Sequence, residues 1–369
     1  MNPAPHPKGP AVSDGSPPVT NTVAPWPVGK ALAWQQERSW RVGCNFTPST
    51  AINQLEMWQA DTFDPETIDR ELGWARGLGF TSVRVFLHNL LWHDDSLPDR
   101  IERFLEIAAS HGIGVMFVLL DACWDPLPEP GRQRAPRPHI HNSGWLQAPG
   151  AAILSTPSRH DELEDYVRGV ISRFATDPRV ECWDLFNEPD NRSAAPYDIH
   201  EPADKTGFAL MLLRKVFRWA REVAPSQPLT SGVWRGTWSD PDELTDLERF
   251  QLENSDVISF HNYGPLAQLE ECLASLRPYG RPVLCTEFMA RPAGSTFGAK
   301  LAFMKDHNVG AYCWGFVAGK TQTHYPWDSW STLYEAEPPL WFHDIYRSDG
   351  SPYDAAEVDL IRRITRSGR

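Results

Sequence analysis

Eight short runs of apolar, β-branched residues recur from about Trp40 onward, separated by longer stretches of helical period. This alternation limits the fold more than any other feature of the chain. The runs fall at 41–46, 82–87, 114–121, 180–187, 229–234, 257–262, 283–287 and 311–316. Strand–helix alternation over most of 369 residues predicts an α/β protein. Eight evenly spread strands of parallel type favour a single (β/α)8 TIM barrel over an open doubly wound sheet, and no glycine-rich phosphate loop follows the first strand.

The intervening segments carry one apolar stripe each. Ile68, Leu72, Ala75 and Leu78 lie on one face of a predicted helix that Asp64-Pro65 opens and Gly79 stops. Ile101, Phe104, Leu105 and Ala108 repeat the pattern, as do Leu163, Val167, Val170, Ile171 and Phe174, and then Leu210, Leu213, Phe217 and Ala220. Asp240-Pro241 is expected to open a further short helix. Residues 1–31, rich in proline and polar side chains, read as a disordered leader before a catalytic unit spanning 32–369. They hold no apolar run long enough for a signal peptide or a membrane span.

Two connections are long: 122–159 after the third strand and 319–354 after the eighth. Both leave the C-terminal ends of strands, the face on which barrel enzymes carry their sites. Loops of that length in a compact domain are commonly functional, and these are rich in tryptophan and histidine (Trp124, Trp145, His139, His141, His324, Trp327, Trp330).

Charge narrows the partner. The chain has 35 basic and 48 acidic residues, a net charge of −13, which disfavours nucleic acid and anionic membranes and suits a neutral ligand such as a carbohydrate. The six cysteines are scattered without a CxxC pair, so neither a disulfide framework nor a zinc site is expected. His139-x-His141 lacks a third ligand and reads as two surface histidines of a proline-rich loop. No metal and no cofactor are expected.

Two segments carry the chemistry. In Trp183-Asp184-Leu185-Phe186-Asn187-Glu188-Pro189 an apolar strand ends in Asn-Glu-Pro, and proline stops the ladder, leaving Glu188 at the strand's rim. In Val283-Leu284-Cys285-Thr286-Glu287-Phe288 a second buried strand also ends in a carboxylate. A carboxylate in such a place is costly unless it is paired or used. These are the fourth and seventh strands, whose C-terminal ends face one another across the mouth of a closed barrel. Paired carboxyls across a cleft are what glycosidic bond cleavage needs.

With these segments the chain resembles clan A of the glycoside hydrolases, and most of all family 5, the cellulase-like enzymes. Asn187-Glu188-Pro189 and Glu287 carry the resemblance. Arg84 in Ser82-Val83-Arg84-Val85, His261-Asn262-Tyr263 after the sixth strand and Trp314 in Cys313-Trp314-Gly315 support it. It covers about residues 40–360. It implies a retaining β-glycosidase acting on glucan, mannan or a related poly- or oligosaccharide. Glu188 would be the acid/base and Glu287 the nucleophile, held as an anion by Arg84 and the Tyr263 hydroxyl. Asn187 would bind the sugar 2-hydroxyl, His261 would tune Glu188 or bind substrate, and Trp314 would floor the sugar site. Many members carry a histidine near the end of the third strand, where this chain has Leu120-Asp121-Ala122-Cys123-Trp124. Asp121 and Trp124 are therefore expected to take over substrate contact, or His139 or His141 to fold back from the long loop, with Trp234 and Trp327 as further binding surfaces. A non-catalytic carbohydrate-binding barrel and a transglycosylase on the same scaffold stand as alternatives. A Schiff-base aldolase or a metal-dependent hydrolase lacks the strand-end lysine or His/Asp cluster it would need.

Overall fold

A computed structural model describes residues 24–367. Its eight strands are β1 (Val42–Asn45), β2 (Ser82–Phe86), β3 (Gly114–Val118), β4 (Val180–Asp184), β5 (Leu229–Thr230), β6 (Ile258–His261), β7 (Val283–Phe288) and β8 (Gly310–Cys313). They pair in the order β5-β4-β3-β2-β1-β8-β7-β6, and every ladder is parallel. The ring closes between β5 and β6 through a bridge from Val233 to Phe260. There Val233 N donates to Ser259 O and His261 N donates to Val233 O, each at 3.1 Å. The chain is thus a (β/α)8 barrel.

Helices cover the ring because each has one apolar face to bury. Pro65–Gly77 starts where the Asp64 carboxylate accepts from Thr67 N at 3.0 Å and Pro65 supplies a preset φ, and it buries Ile68, Leu72 and Ala75. Leu97–Ser110, Glu164–Arg173 and Lys205–Val223 follow the next three strands and bury the predicted stripes, although Leu210 is only partly covered. Fully burying one such leucine contributes about 1.5–3 kcal/mol. Gly43 of β1 is required by close approach: a Cβ there would fall 1.6 Å from the Ser82 carbonyl oxygen.

Three expectations change. Asp240-Pro241 opens only a turn. The helix runs Asp246–Asn254 instead, because Thr245 and Glu248 form a reciprocal capping box that satisfies its first free N–H groups. The third, fourth and fifth strands are shorter than their apolar runs, since those runs continue into the mouth as irregular backbone. The stretch read as a leader is not structureless throughout: helix Val28–Gln36 begins inside it. Its Trp34 joins Met116, Cys182, Val257 and Leu284 in a cluster at the N-terminal end of the barrel, and Trp34 Nε1 donates to Glu181 O at 3.1 Å. Residues 1–23 lie outside the described residues. Among the described residues no helix is long and apolar enough to cross a membrane.

Candidate active site

Glu188 stands where the β4 ladder runs out. The last ladder-like bonds are Asn187 N to Leu120 O at 2.8 Å and Ala122 N to Asn187 O at 3.2 Å, and Glu188 then takes a left-handed backbone (φ 42°) that a side-chain-bearing residue adopts only at some cost. Asn191 N closes the turn onto Glu188 O at 2.8 Å. Glu287 lies within β7, which is irregular on both sides. The register shifts between Phe260 and His261 against β6, and between Cys285 and Phe288 against β8. Such bulges re-aim side chains, and here they set His261 opposite Glu287. One carboxylate oxygen of Glu188, one of Glu287 and one ring nitrogen of His261 lie within 4.8 Å of one another.

Arg84, wholly buried on β2, organises the cluster. Its Nη1 donates to Glu287 Oε1 and Asn45 Oδ1, both at 2.8 Å. Its Nη2 donates to Asp184 Oδ2 at 2.8 Å and to Asn187 Oδ1 at 2.6 Å, and Nε donates to Asp184 Oδ2 at 3.1 Å. Asp184 balances the buried guanidinium, and Glu287 takes up the fork that remains. The Tyr263 hydroxyl donates to Glu287 Oε2 at 2.7 Å, and burial pushes that phenol upward, so it stays a donor.

Burial pushes both carboxyls above the ordinary carboxylate range. They differ in what opposes it. Glu287 is touched by a permanent cation and a phenolic O–H. Glu188 accepts from neutral groups, Asn191 Nδ2 at 2.5 Å and Cys123 Sγ at 3.3 Å, and lies 2.6 Å from His261 Nδ1. Burial lowers that imidazole to about 4 against the pull of Glu287, so at neutral pH the ring is uncharged. Two carboxyls this close do not both ionise readily, and the one beside the guanidinium keeps the charge. The direct guanidinium and phenol contacts therefore favour the anion at Glu287 over Glu188.

The same three side chains have the spacing of a cation site. Arg84 argues against one, since it already occupies Glu287 Oε1 and places a positive charge 2.8 Å away.

Above the carboxyls lies a cleft of about 370 Å³ lined by Asn187, Glu188, Tyr263, Glu287 and Trp314, together with Trp124, Trp234 and Trp327. Trp314 stands edge-on to Phe86 and to Trp145, with ring centroids 5.8 Å apart in each case. Trp124 stacks on Trp330 at 5.1 Å, Trp234 Nε1 donates to Asp190 Oδ1 at 2.7 Å, and Trp327 meets Tyr263 edge-on at 5.0 Å.

Asp121 is not on the cleft. It is buried behind Asn187, accepting from Asn187 Nδ2 at 2.9 Å and from Trp145 Nε1 at 2.6 Å, and burial lifts its pKa to about 6. With Gln54 Nε2 and Cys123 N also donating to it, its acceptors are spent on four protein donors, so it orients Asn187 and does not reach a ligand. His141 is buried and lines the cleft, as a fold-back from the long loop would place it, and does not lie on the outer surface. Its Nδ1 bonds Tyr325 O at 2.8 Å, while His139 Nδ1 bonds Tyr334 O at 2.6 Å. Trp238 packs on Phe260 in the core, outside the cleft.

Asn45, Asp184, Asn191 and Cys123 belong to the site without having been singled out. Asp184, a charge inside an apolar strand, carried a usable signal. The others are ordinary residues whose role comes from position.

Fold and site define a (β/α)8 barrel with two carboxyls converging at its C-terminal mouth. No protein-family model matches the chain, and no curated protein matches it in sequence. Solved structures do match in fold. A glutamate-to-alanine variant of GH5_18 from Streptomyces cattleya in complex with Manβ1-4GlcNAc aligns over 90% of this chain and 82% of its own, with a TM-score of 0.60 and 16% identity. An exo-β-1,4-mannosidase from Opitutaceae bacterium strain TAV5 aligns over 89% and 60%, with a TM-score of 0.59 and 19% identity. A β-1,4-mannanase from the sea hare Aplysia kurodai aligns over 75% and 88%, with a TM-score of 0.55 and 14% identity.

Proposed function

We propose that this chain is a retaining glycoside hydrolase of the clan A, family 5 type, cleaving β-linked oligo- or polysaccharides, with β-mannosides the first class to test. One observation carries the mechanism: carboxylate oxygens of Glu188 and Glu287 approach within 4.8 Å. Retaining enzymes hold their carboxyls ~5–5.5 Å apart, whereas inverting enzymes need ~6.5–9.5 Å to admit a water between them. The substrate class rests on the neighbours in fold, which include mannosidases and mannanases and a complex with a β-mannosyl disaccharide.

In the first step a Glu287 oxygen attacks the anomeric carbon, the bond to the leaving oxygen breaks, and the Glu188 proton passes to that oxygen. In the second, water attacks the same carbon, Glu188 takes its proton, and the bond to Glu287 breaks. Asn187, clamped by Arg84 and Asp121, faces the cleft and would bind the sugar 2-hydroxyl, a contact that strengthens as the transition state forms.

The test is a panel of aryl β-glycosides followed by proton NMR of the first product. The expected result is release of the β-anomer from an aryl β-mannoside or a related glycoside. Appearance of the α-anomer first would exclude double displacement. Binding of oligosaccharides without turnover would leave a carbohydrate-binding barrel.

A further inference from the structure

We infer that the cleft is a dead end holding one sugar on its glycone side, so that the protein removes single residues from non-reducing ends. This rests on the retaining-glycosidase reading above.

The leaving group lies on the side of the acid, Glu188 at β4. A chain continuing from the glycone would run the opposite way, over β8, β1 and β2. That sector is walled off. Asn142 N donates to Thr321 O at 2.8 Å, His141 N to Ser329 Oγ at 3.0 Å, and Trp330 Nε1 to His141 O at 2.8 Å, so the loop after β3 is tied to the loop after β8. The β8 loop reaches from Trp327 against Tyr263 beyond β6 to Trp330 against Trp124 beyond β3. The acid side instead is bordered by Arg192 and Ala194, both exposed, and by Trp234.

Asn142, Trp145 and Trp314 line both the cleft and a second void behind it, and so form a partition. The void measures about 20 Å³, room for about one water and far too little for a second sugar ring. Asn142 supplies the recognition element. It is buried with a left-handed backbone (φ 50°), and neither Nδ2 nor Oδ1 has a protein partner among the described residues. A buried carboxamide left unpaired is disfavoured. Rotation of that side chain into the cleft would let the terminal hydroxyls of a glycone ending at the partition pair with it, an opportunity that a substituted, mid-chain sugar does not offer.

The experiment follows β-1,4-mannohexaose labelled at its reducing end, alongside the aryl glycoside that the panel identifies. The expected course is free monosaccharide plus labelled products one residue shorter at each stage. Early labelled disaccharide or trisaccharide would overturn the inference while leaving the glycosidase reading intact. No turnover of any aryl glycoside would sink that reading, and this one with it. A second arm measures Asn142→Ala on aryl glycosides lacking the 3-, 4- or 6-hydroxyl in turn. The variant is expected to lose about 10- to 100-fold in kcat/KM on the intact sugar, and to lose nothing further on the deoxy sugar whose missing hydroxyl Asn142 binds. Equal losses on all substrates, or none on any, would remove Asn142 from recognition.

Discussion

His261 Nδ1 lies 2.6 Å from Glu188 Oε1 and 3.4 Å from Glu287 Oε2, so a single nitrogen bridges the two carboxyls. The ring is neutral, which lets it accept from a protonated Glu188 or donate once that proton has left. The pair therefore titrates as a unit whose two apparent pKa values belong to both residues.

A bell-shaped pH profile follows, with Glu287 ionisation on the acid side and loss of the Glu188 proton on the alkaline side. The Asn191 amide favours ionised Glu188. Asn191→Ala removes that support and raises the Glu188 pKa, so the alkaline limb of kcat/KM should move to higher pH while the acid limb stays nearly fixed. An unmoved alkaline limb would show that the amide does not tune the acid.

Glu287→Ala should lose at least about 10³-fold in turnover, since it removes the proposed nucleophile. Azide should restore part of the rate and yield an α-glycosyl azide, because a small anion then attacks directly from the vacated side. Wild-type rates in this variant would remove Glu287 from the nucleophile's role.

Glu188→Ala should slow substrates with poor leaving groups by about 10²–10⁴-fold. Activated aryl glycosides need no proton to depart, so their first step should be nearly unaffected. Burst and steady-state rates on a series of leaving groups provide the check, and a uniform loss across the series would count against the acid role.

Arg84→Met should reduce activity and also destabilise the chain by about 3–5 kcal/mol, because it leaves Asp184 buried without a counter-charge. Urea unfolding of the single variant and of Arg84→Met with Asp184→Asn separates the two effects. The double variant should recover stability but not activity.

His88 is wholly buried between Gln147 O and Leu90 N, and burial lowers its pKa to about 3. The unfolded chain protonates it near 6.5, so its neutral-state stability is complete above pH 6.5. That stability is lost at about 1.4 kcal/mol per pH unit as the pH falls from 6.5 toward 3. His88→Asn should start less stable at pH 7 yet decline less steeply between pH 6 and 4 in thermal unfolding. Parallel declines would remove His88 from the acid sensitivity.

The barrel and its two carboxyls were legible because their signals are local. An apolar run of strand length, a Pro189 that ends it and an Asp64-Pro65 helix start each depend on neighbours in sequence. The part played by Asp121 is not legible, because a strand-end carboxylate looks the same whether it faces a cleft or a neighbour. Only the packing of Trp145 and Asn187 against it decides. The end of the leader is not legible because polar, proline-rich composition masks Ala31, which the helix starting at Val28 buries, and Trp26, which packs against the Trp34 cluster.

What the sequence determined by itself was the alternation that makes a ring of strands and the identity of the acids at its rim, since periodicity and strand-ending residues act over a few positions. Only the tertiary structure decided which acid touches Arg84, that Asn142 stands unpaired at a partition, and that the two long loops join over the mouth. Those contacts link His141 to residues 188 and 189 positions away. Their meeting depends on closure of the whole barrel, which no local pattern encodes.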